Sequence, residues 1–164
     1  MVSKRLSREA GHRRKFLAIV DDTPECERAV AYASKRAQTT NGVLVLLYVI
    51  EPADFQGWLG VEKIMREEAQ ATAGAALDAF ATAVRKKLGM EPELVVREGV
   101  ASEEIHALID ADQDIAILVL AAGSGKEGPG PLVASLAAKG SAGFPIPVTV
   151  VPASLTDEEI DSLA

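Results

Sequence analysis

The sequence predicts an α/β fold: one doubly wound, five-stranded parallel sheet in a three-layer, nucleotide-binding-like sandwich. Three observations lead there. Phe16–Val20 (FLAIV), Val43–Ile50 (VLVLLYVI) and Ile115–Leu120 (IAILVL) are apolar throughout, as strands buried on both faces are, whereas half-exposed strands alternate. Segments with apolar residues at helical spacing separate these runs, which is the alternation of a βαβ chain. The last of these runs passes through a glycine-rich loop into a helix start, where open α/β sheets hold anionic ligands. Right-handed crossovers then distribute the helices over both faces.

Phe16–Val20 is the first strand. Asp21-Asp22-Thr23-Pro24 reads as a helix start, with Asp22 or Thr23 as the cap and Pro24 near the first helical position. That helix runs to about Thr40 with Val30, Ala33 and Ala37 on one face, and Asn41-Gly42 stops it. Val43–Ile50 is the second strand. The connection ADFQGWLG follows, with Phe55 and Trp58 as an apolar anchor or as a lid over the sheet crevice. A long helix spans about Val61 to Leu88, with Leu77, Phe80, Ala81, Val84 and Leu88 at helical spacing and Gly89 as its stop.

Glu93–Arg97 forms the third strand. Ser102 is placed to cap the next helix, whose first turn holds Glu103 and Glu104 and whose apolar face is Ile105, Leu108 and Ile109. Ile115–Leu120 is the fourth strand, Pro131 begins a helix through about Lys139, and Pro147–Val151 (PVTVV) is the fifth strand. Thr156 and Glu159 have the spacing of a capping box for DEEIDSL. The chain therefore divides into a basic flexible tail over 1–14, one domain over 15–152, and a short capped helix or tail over 153–164.

A chain of 164 residues at 48% hydrophobic supports one domain with a sizeable core. With 4% aromatic residues, that core must be aliphatic and alanine-rich. No apolar run approaches the roughly 20 residues of a membrane span, and the basic N-terminus lacks the apolar stretch of a secretory signal. A single cysteine, Cys26, fits a reducing cytoplasm. Net charge is −7, yet Lys4, Arg5, Arg8, Arg13, Arg14 and Lys15 precede Phe16 against one acid, Glu9, which leaves a strongly acidic body. An acidic body argues against broad nucleic-acid binding.

The loop from Ala121 to Ser135, AAGSGKEGPGPLVAS, carries the chemistry. Gly123, Gly125, Gly128 and Gly130 permit close backbone approach, so their N–H groups can surround a phosphate, and Lys126 adds one cation. The same composition also serves as a turn with a helix cap. It is not a Walker motif: Glu127 follows Gly125-Lys126 where a hydroxyl is needed, and Leu120 stands where the first glycine belongs. His12 and His106 have no neighbouring ligand set, so no structural metal is expected. Cys26 falls in the first turn of its helix, either as a thiol activated by the dipole or as a small buried residue. No Ser-His-Asp, metal or paired-carboxylate constellation can be assembled, so catalysis is not supported.

Taken in order, KFLAIVDDTPECERAVAYASKRA, VLVLLYVIEP, REGVASEEIHALI and ILVLAAGSGKEGPGPLVASLAAKGSAGFPIPVTVVP resemble the universal stress protein family over roughly residues 15 to 152. The resemblance implies strand order 3-2-1-4-5, a homodimer formed through Pro147–Val151, and an adenine nucleotide such as ATP or AMP. The family loop reads Gly-x-x-Gly, nine residues, then Gly-Ser or Gly-Thr. These positions match Ala121, Ser124, Ala134 and Ser135, so only the hydroxyl position is retained. A frame beginning at Gly125 places Ala138 and Lys139 at the last two positions and fails too. The family aspartate at the end of the first strand matches Asp21, and the adenine-lining position of the second strand matches Val49. Ala121 and Ala134 add methyls where the family brings backbone close to ligand, while Gly123, Gly125 and Lys126 lie close by to compensate. The expected role is a cytoplasmic stress-response binding or regulatory module. Its alternatives are a homodimeric interaction module without nucleotide and a nucleotide hydrolase.

Overall fold

The computed structural model describes residues 3–51, 59–126, 128–139 and 143–164. In chain order the elements are β1 (Lys15–Ile19), α1 (Cys26–Thr39), β2 (Val43–Ile50), α2 (Leu59–Leu88), β3 (Glu93–Glu98), α3 (Ala101–Ala111), β4 (Ile115–Ala122), α4 (Pro131–Lys139), β5 (Val148–Pro152) and α5 (Asp157–Leu163). All four strand pairs are parallel and the order is β3-β2-β1-β4-β5, as the resemblance implied.

Alternate side chains of β1 feed two cores, because successive residues of a strand point to opposite faces. Phe16, Ala18 and Val20 pack with Ala29, Val30, Ala33 and Ala37 of α1 and with Leu77 and Val84 of α2. Leu17 and Ile19 pack with Ile105, Leu108 and Ile109 of α3 and with Phe144 and Ile146 ahead of β5. The alanine face of α1 is fully buried, so small side chains bring that helix close to the sheet.

Several boundaries differ from the sequence reading. The cap of α1 is Glu25, not Asp22 or Thr23. The Asp21 carboxylate accepts both the Thr23 N–H (2.9 Å) and the Thr23 hydroxyl, and this local turn holds the chain out of the helix until Cys26. The cap of α3 is Val100 rather than Ser102, which lies inside the first turn. β4 continues to Ala122 and pairs Ala121 with Val151, so Ala121 belongs to the strand and the loop begins at Gly123. Asn41 takes a positive φ of 54° where α1 ends. The Thr156–Glu159 capping box forms with both reciprocal bonds.

Residues 3–14, expected as a solvated tail, lie against the body. The Arg5 guanidinium donates to the carbonyls of Ile109 and Asp112, where α3 ends and C=O groups lack helical partners, and to that of Ile115 at the start of β4. Leu6 N–H donates to the Gln113 carbonyl, His12 pairs with Asp114 at 2.7 Å, and Arg13 donates to the carbonyls of Asn41 and Gly42. Arg5 and Arg13 of this segment are thus bound to the end of the sheet opposite the glycine loop. Phe55 and Trp58 lie outside the described residues.

Candidate functional site

β1 pairs with β2 on one side and β4 on the other. The chain leaves β1 for the α1 face and leaves β4 for the α4 face, so the C-terminal ends of these two strands part around a crevice. Its inner chamber has a volume of about 410 Å³, within the range of about 300–1,000 Å³ of small-molecule sites. Ile19, Val20, Leu120 and Ala121 form its floor, Tyr48, Val49 and Ile50 one wall, and Pro129–Val133 the other. Asp21, Asp22, Glu25 and Glu51 stand among its lining. An outer chamber of about 920 Å³ adjoins it, lined by Gly123, Ser124, Gly125, Lys126, Arg28 and Ala134 among others. Thr23, Glu25 and Pro129–Pro131 line both.

The residues singled out from sequence divide between the chambers. Asp21, Val49 and Ala121 line the inner one; Gly123, Ser124, Gly125, Lys126 and Ala134 line the outer one; Ser135 lines neither. Asp21 is exposed and already accepts two hydrogen bonds from Thr23, while Val49 and Ala121 are half-buried. Ser124, Gly125, Lys126 and Ala134 are exposed.

The glycine loop bonds to itself rather than presenting a ring of donors. Gly123 N–H donates to the Pro129 carbonyl at 3.3 Å and Gly128 N–H to the Gly125 carbonyl at 3.1 Å. A methyl placed on Gly123 would come within 2.8 Å of Glu25 Oε1 and 3.0 Å of the Gly128 carbonyl oxygen. Donors remain at the start of α4. Pro131 has no N–H, and the Ala134 N–H donates back to Gly130. The N–H groups of Leu132 and Val133, in the first turn, have no acceptor within the helix, and both residues line the inner chamber.

Cys26 lines the inner chamber but is buried, with its Sγ donating to the Asp21 carbonyl at 3.5 Å. Burial pushes its thiol up to about 11, so the thiol is passive rather than activated. Tyr48 Oη donates to Asp22 Oδ1 at 3.2 Å, joining the ends of β1 and β2 at the rim. Among the described residues no group of three or more His, Cys, Asp or Glu gathers as a metal site. Glu25 and Tyr48 were not singled out from sequence. The acid after Pro24 was the available signal for Glu25; Tyr48 reads only as another residue of an apolar strand.

The universal stress protein family model matches residues 12–152 of the chain. The fold is similar to that of universal stress protein UspA from Lactobacillus plantarum, at 20% identity over 84% of this chain and 97% of that one, with a TM-score of 0.67. It is also similar to a universal stress protein solved in complex with cAMP (19% identity, 86% of this chain and 98% of that one, TM-score 0.62). A third likeness is to the universal stress protein from Archaeoglobus fulgidus in complex with dAMP (18% identity, 84% and 97% covered, TM-score 0.55). A sequence search of curated proteins gave no match.

Proposed function

The chain belongs to the universal stress protein family, and we propose that it is a binding and regulatory module that takes an adenine nucleotide in the crevice between β1 and β4. The observation that carries this reading is the inner chamber: a volume of about 410 Å³ at the topological switch point, walled by apolar strand residues and fronted by the first turn of α4. In this reading the base lies against Tyr48 and Val49 over Ala121, and the ribose meets the carboxylates at Asp21. The first phosphate meets the N–H groups of Leu132 and Val133, with Lys126 the cation on the loop side and Gly123, Ser124 and Gly125 beyond. Ala134 and Ser135, placed by the family pattern, stand further out on α4. The family relatives solved with cAMP and dAMP support an adenine ligand. The chain acts in the cytoplasm in this reading, and among the described residues no helix is long and apolar enough to cross a membrane.

Purified protein is denatured and its supernatant assayed for released nucleotide, and thermal shifts are recorded with ATP, ADP, AMP and cyclic nucleotides. Released adenine nucleotide or a shift of several degrees supports the reading. No release and no shift at millimolar ligand would sink it.

A second reading has its own observation. The Gly123 N–H is already spent on Pro129, and β5 is an edge strand with Val150 38% exposed. A homodimer formed through Pro147–Val151 uses that edge whether or not nucleotide is bound. Light scattering at monomer mass across concentrations contradicts the dimer.

A further inference from the structure

We propose that Glu25 sets the ligand class of the crevice by repelling the outer phosphates of a nucleotide, so that the chain takes an adenine nucleoside or its monophosphate in preference to the triphosphate. The inference rests on the nucleotide reading above. Glu25 stands at the junction of the chambers and lines both. It is the cap residue of α1 with helical backbone angles and no side-chain capping bond, so its carboxylate reaches across to the loop after β4. There it packs on the bare Cα of Gly123, with Oε1 2.8 Å from where a methyl would sit. Among the described residues Glu25 takes part in no ion pair.

A helix start favours one anion, and at α1 a side chain already supplies it. A phosphate brought beside that carboxylate meets like charge in a partly enclosed site, where screening by water is weakest. The backbone has the same sign, since the Gly123 N–H is committed to Pro129 and the Gly128 carbonyl oxygen faces the same spot. Asp21, Asp22 and Glu51 extend the negative field around the inner chamber. Among the described residues two cations line the outer chamber: Arg28, held by Glu27, Asp157 and the Leu155 carbonyl, and the exposed Lys126, whose single charge stands against the carboxylates of Glu25, Asp21, Asp22 and Glu51. A nucleoside, or one phosphate at the first turn of α4, avoids this passage; a triphosphate has to run along it.

The test is isothermal titration of the full chain with adenosine, AMP, ADP and ATP in magnesium-free buffer, on wild type and Glu25→Gln, at low and high salt. Adenosine and AMP are expected to bind wild type at least about tenfold more tightly than ATP, and Glu25→Gln to bring ATP within about threefold of AMP. High salt is expected to narrow the wild-type gap as well, a readout that needs no variant. Wild type that binds ATP as tightly as AMP, or a gap that Glu25→Gln and salt leave unchanged, overturns the role of Glu25 while the nucleotide reading stands. Failure of all four ligands to bind removes both.

Discussion

Replacing Asp21 separates the turn that its carboxylate holds at the crevice from the ribose contact proposed for it. Its Oδ1 accepts the Thr23 N–H at 2.9 Å and the Thr23 hydroxyl as well, and that turn aims the chain from β1 into α1. The side chain is exposed, so each lost bond belongs at the low end of its range, and Asp21→Ala is expected to cost about 1–2 kcal/mol. In a chain of this size that corresponds to a fall in Tm of about 2–8 °C. Asp21→Asn keeps an oxygen in the same place and removes the charge, so it is expected to melt within about 2 °C of wild type. Differential scanning calorimetry reads the turn, and AMP titration reads the proposed contact. The alanine variant should weaken AMP by about tenfold, since it loses both the turn and the acceptor at the ribose. An alanine variant that melts and binds like wild type refutes the assignment. An asparagine variant that melts like alanine shows that the charge, not the acceptor geometry, holds the turn, and refutes the local argument.

Gly123→Ala sets a methyl 2.8 Å from Glu25 Oε1 and 3.0 Å from the Gly128 carbonyl; overpacking against backbone predicts a loss of about 1–3 kcal/mol in chemical denaturation. Cys26, with its thiol near 11, should react with a disulfide reagent at pH 8 at least about a hundredfold more slowly in the native than in the denatured chain. The sign of its linkage follows: the unfolded thiol loses its proton first, so its contribution is intact below pH 9 and lost as pH rises toward 11. Cys26→Ala should flatten that part of a stability–pH profile. Arg28→Ala removes the donor to the Leu155 carbonyl (2.9 Å) and to Asp157 (2.7 Å), and hydrogen exchange at Ile160 in α5 should speed by about tenfold. Ala134→Gly restores a family glycine on an exposed helix position; it should cost about 0.5–1 kcal/mol without raising ATP affinity, because Glu25 remains.

Most of the fold was legible because it depends on local pattern. Apolar runs gave the strands, Thr156 and Glu159 gave a cap that forms as expected, and Pro131 begins α4. The two misplaced caps differ in kind: a local side-chain bond displaces the first, whereas the second starts without any side-chain capping bond. Asp21 captures Thr23 and delays α1, and Val100 starts α3 ahead of the serine that looked like its cap. The basic segment before β1 read as solvated because its charge is visible in sequence, whereas the acceptors of Arg5, carbonyls at the end of α3 and the start of β4, come from residues about a hundred positions away. The candidate site was legible as a place and not as a surface. Asp21, Val49 and Ala121 share the inner chamber, while the loop residues line another, and which side chain stands between them is a tertiary fact.

The glycines of the loop show why its fold signal and its ligand signal come apart. Gly128 and Gly130 have φ of 83° and 99°, so the turn itself requires them. Gly123 has ordinary backbone angles but no room for a Cβ beside Glu25 and the Gly128 carbonyl. Three of the four glycines thus have a conformational or packing reason that involves no ligand, and a glycine count alone overstates the case for phosphate. Gly125 differs: its φ is ordinary and, among the described residues, nothing lies within 4 Å of where a Cβ would stand. It is followed by Lys126 in the outer chamber, where neither strain nor crowding asks for glycine. What the loop retains for an anion is therefore concentrated at Gly125-Lys126 and at the first-turn N–H groups of α4, which have no acceptor within the helix, on either side of the carboxylate of Glu25. A ligand small enough to use the α4 donors without displacing that carboxylate matches this arrangement, and a chain of phosphates does not.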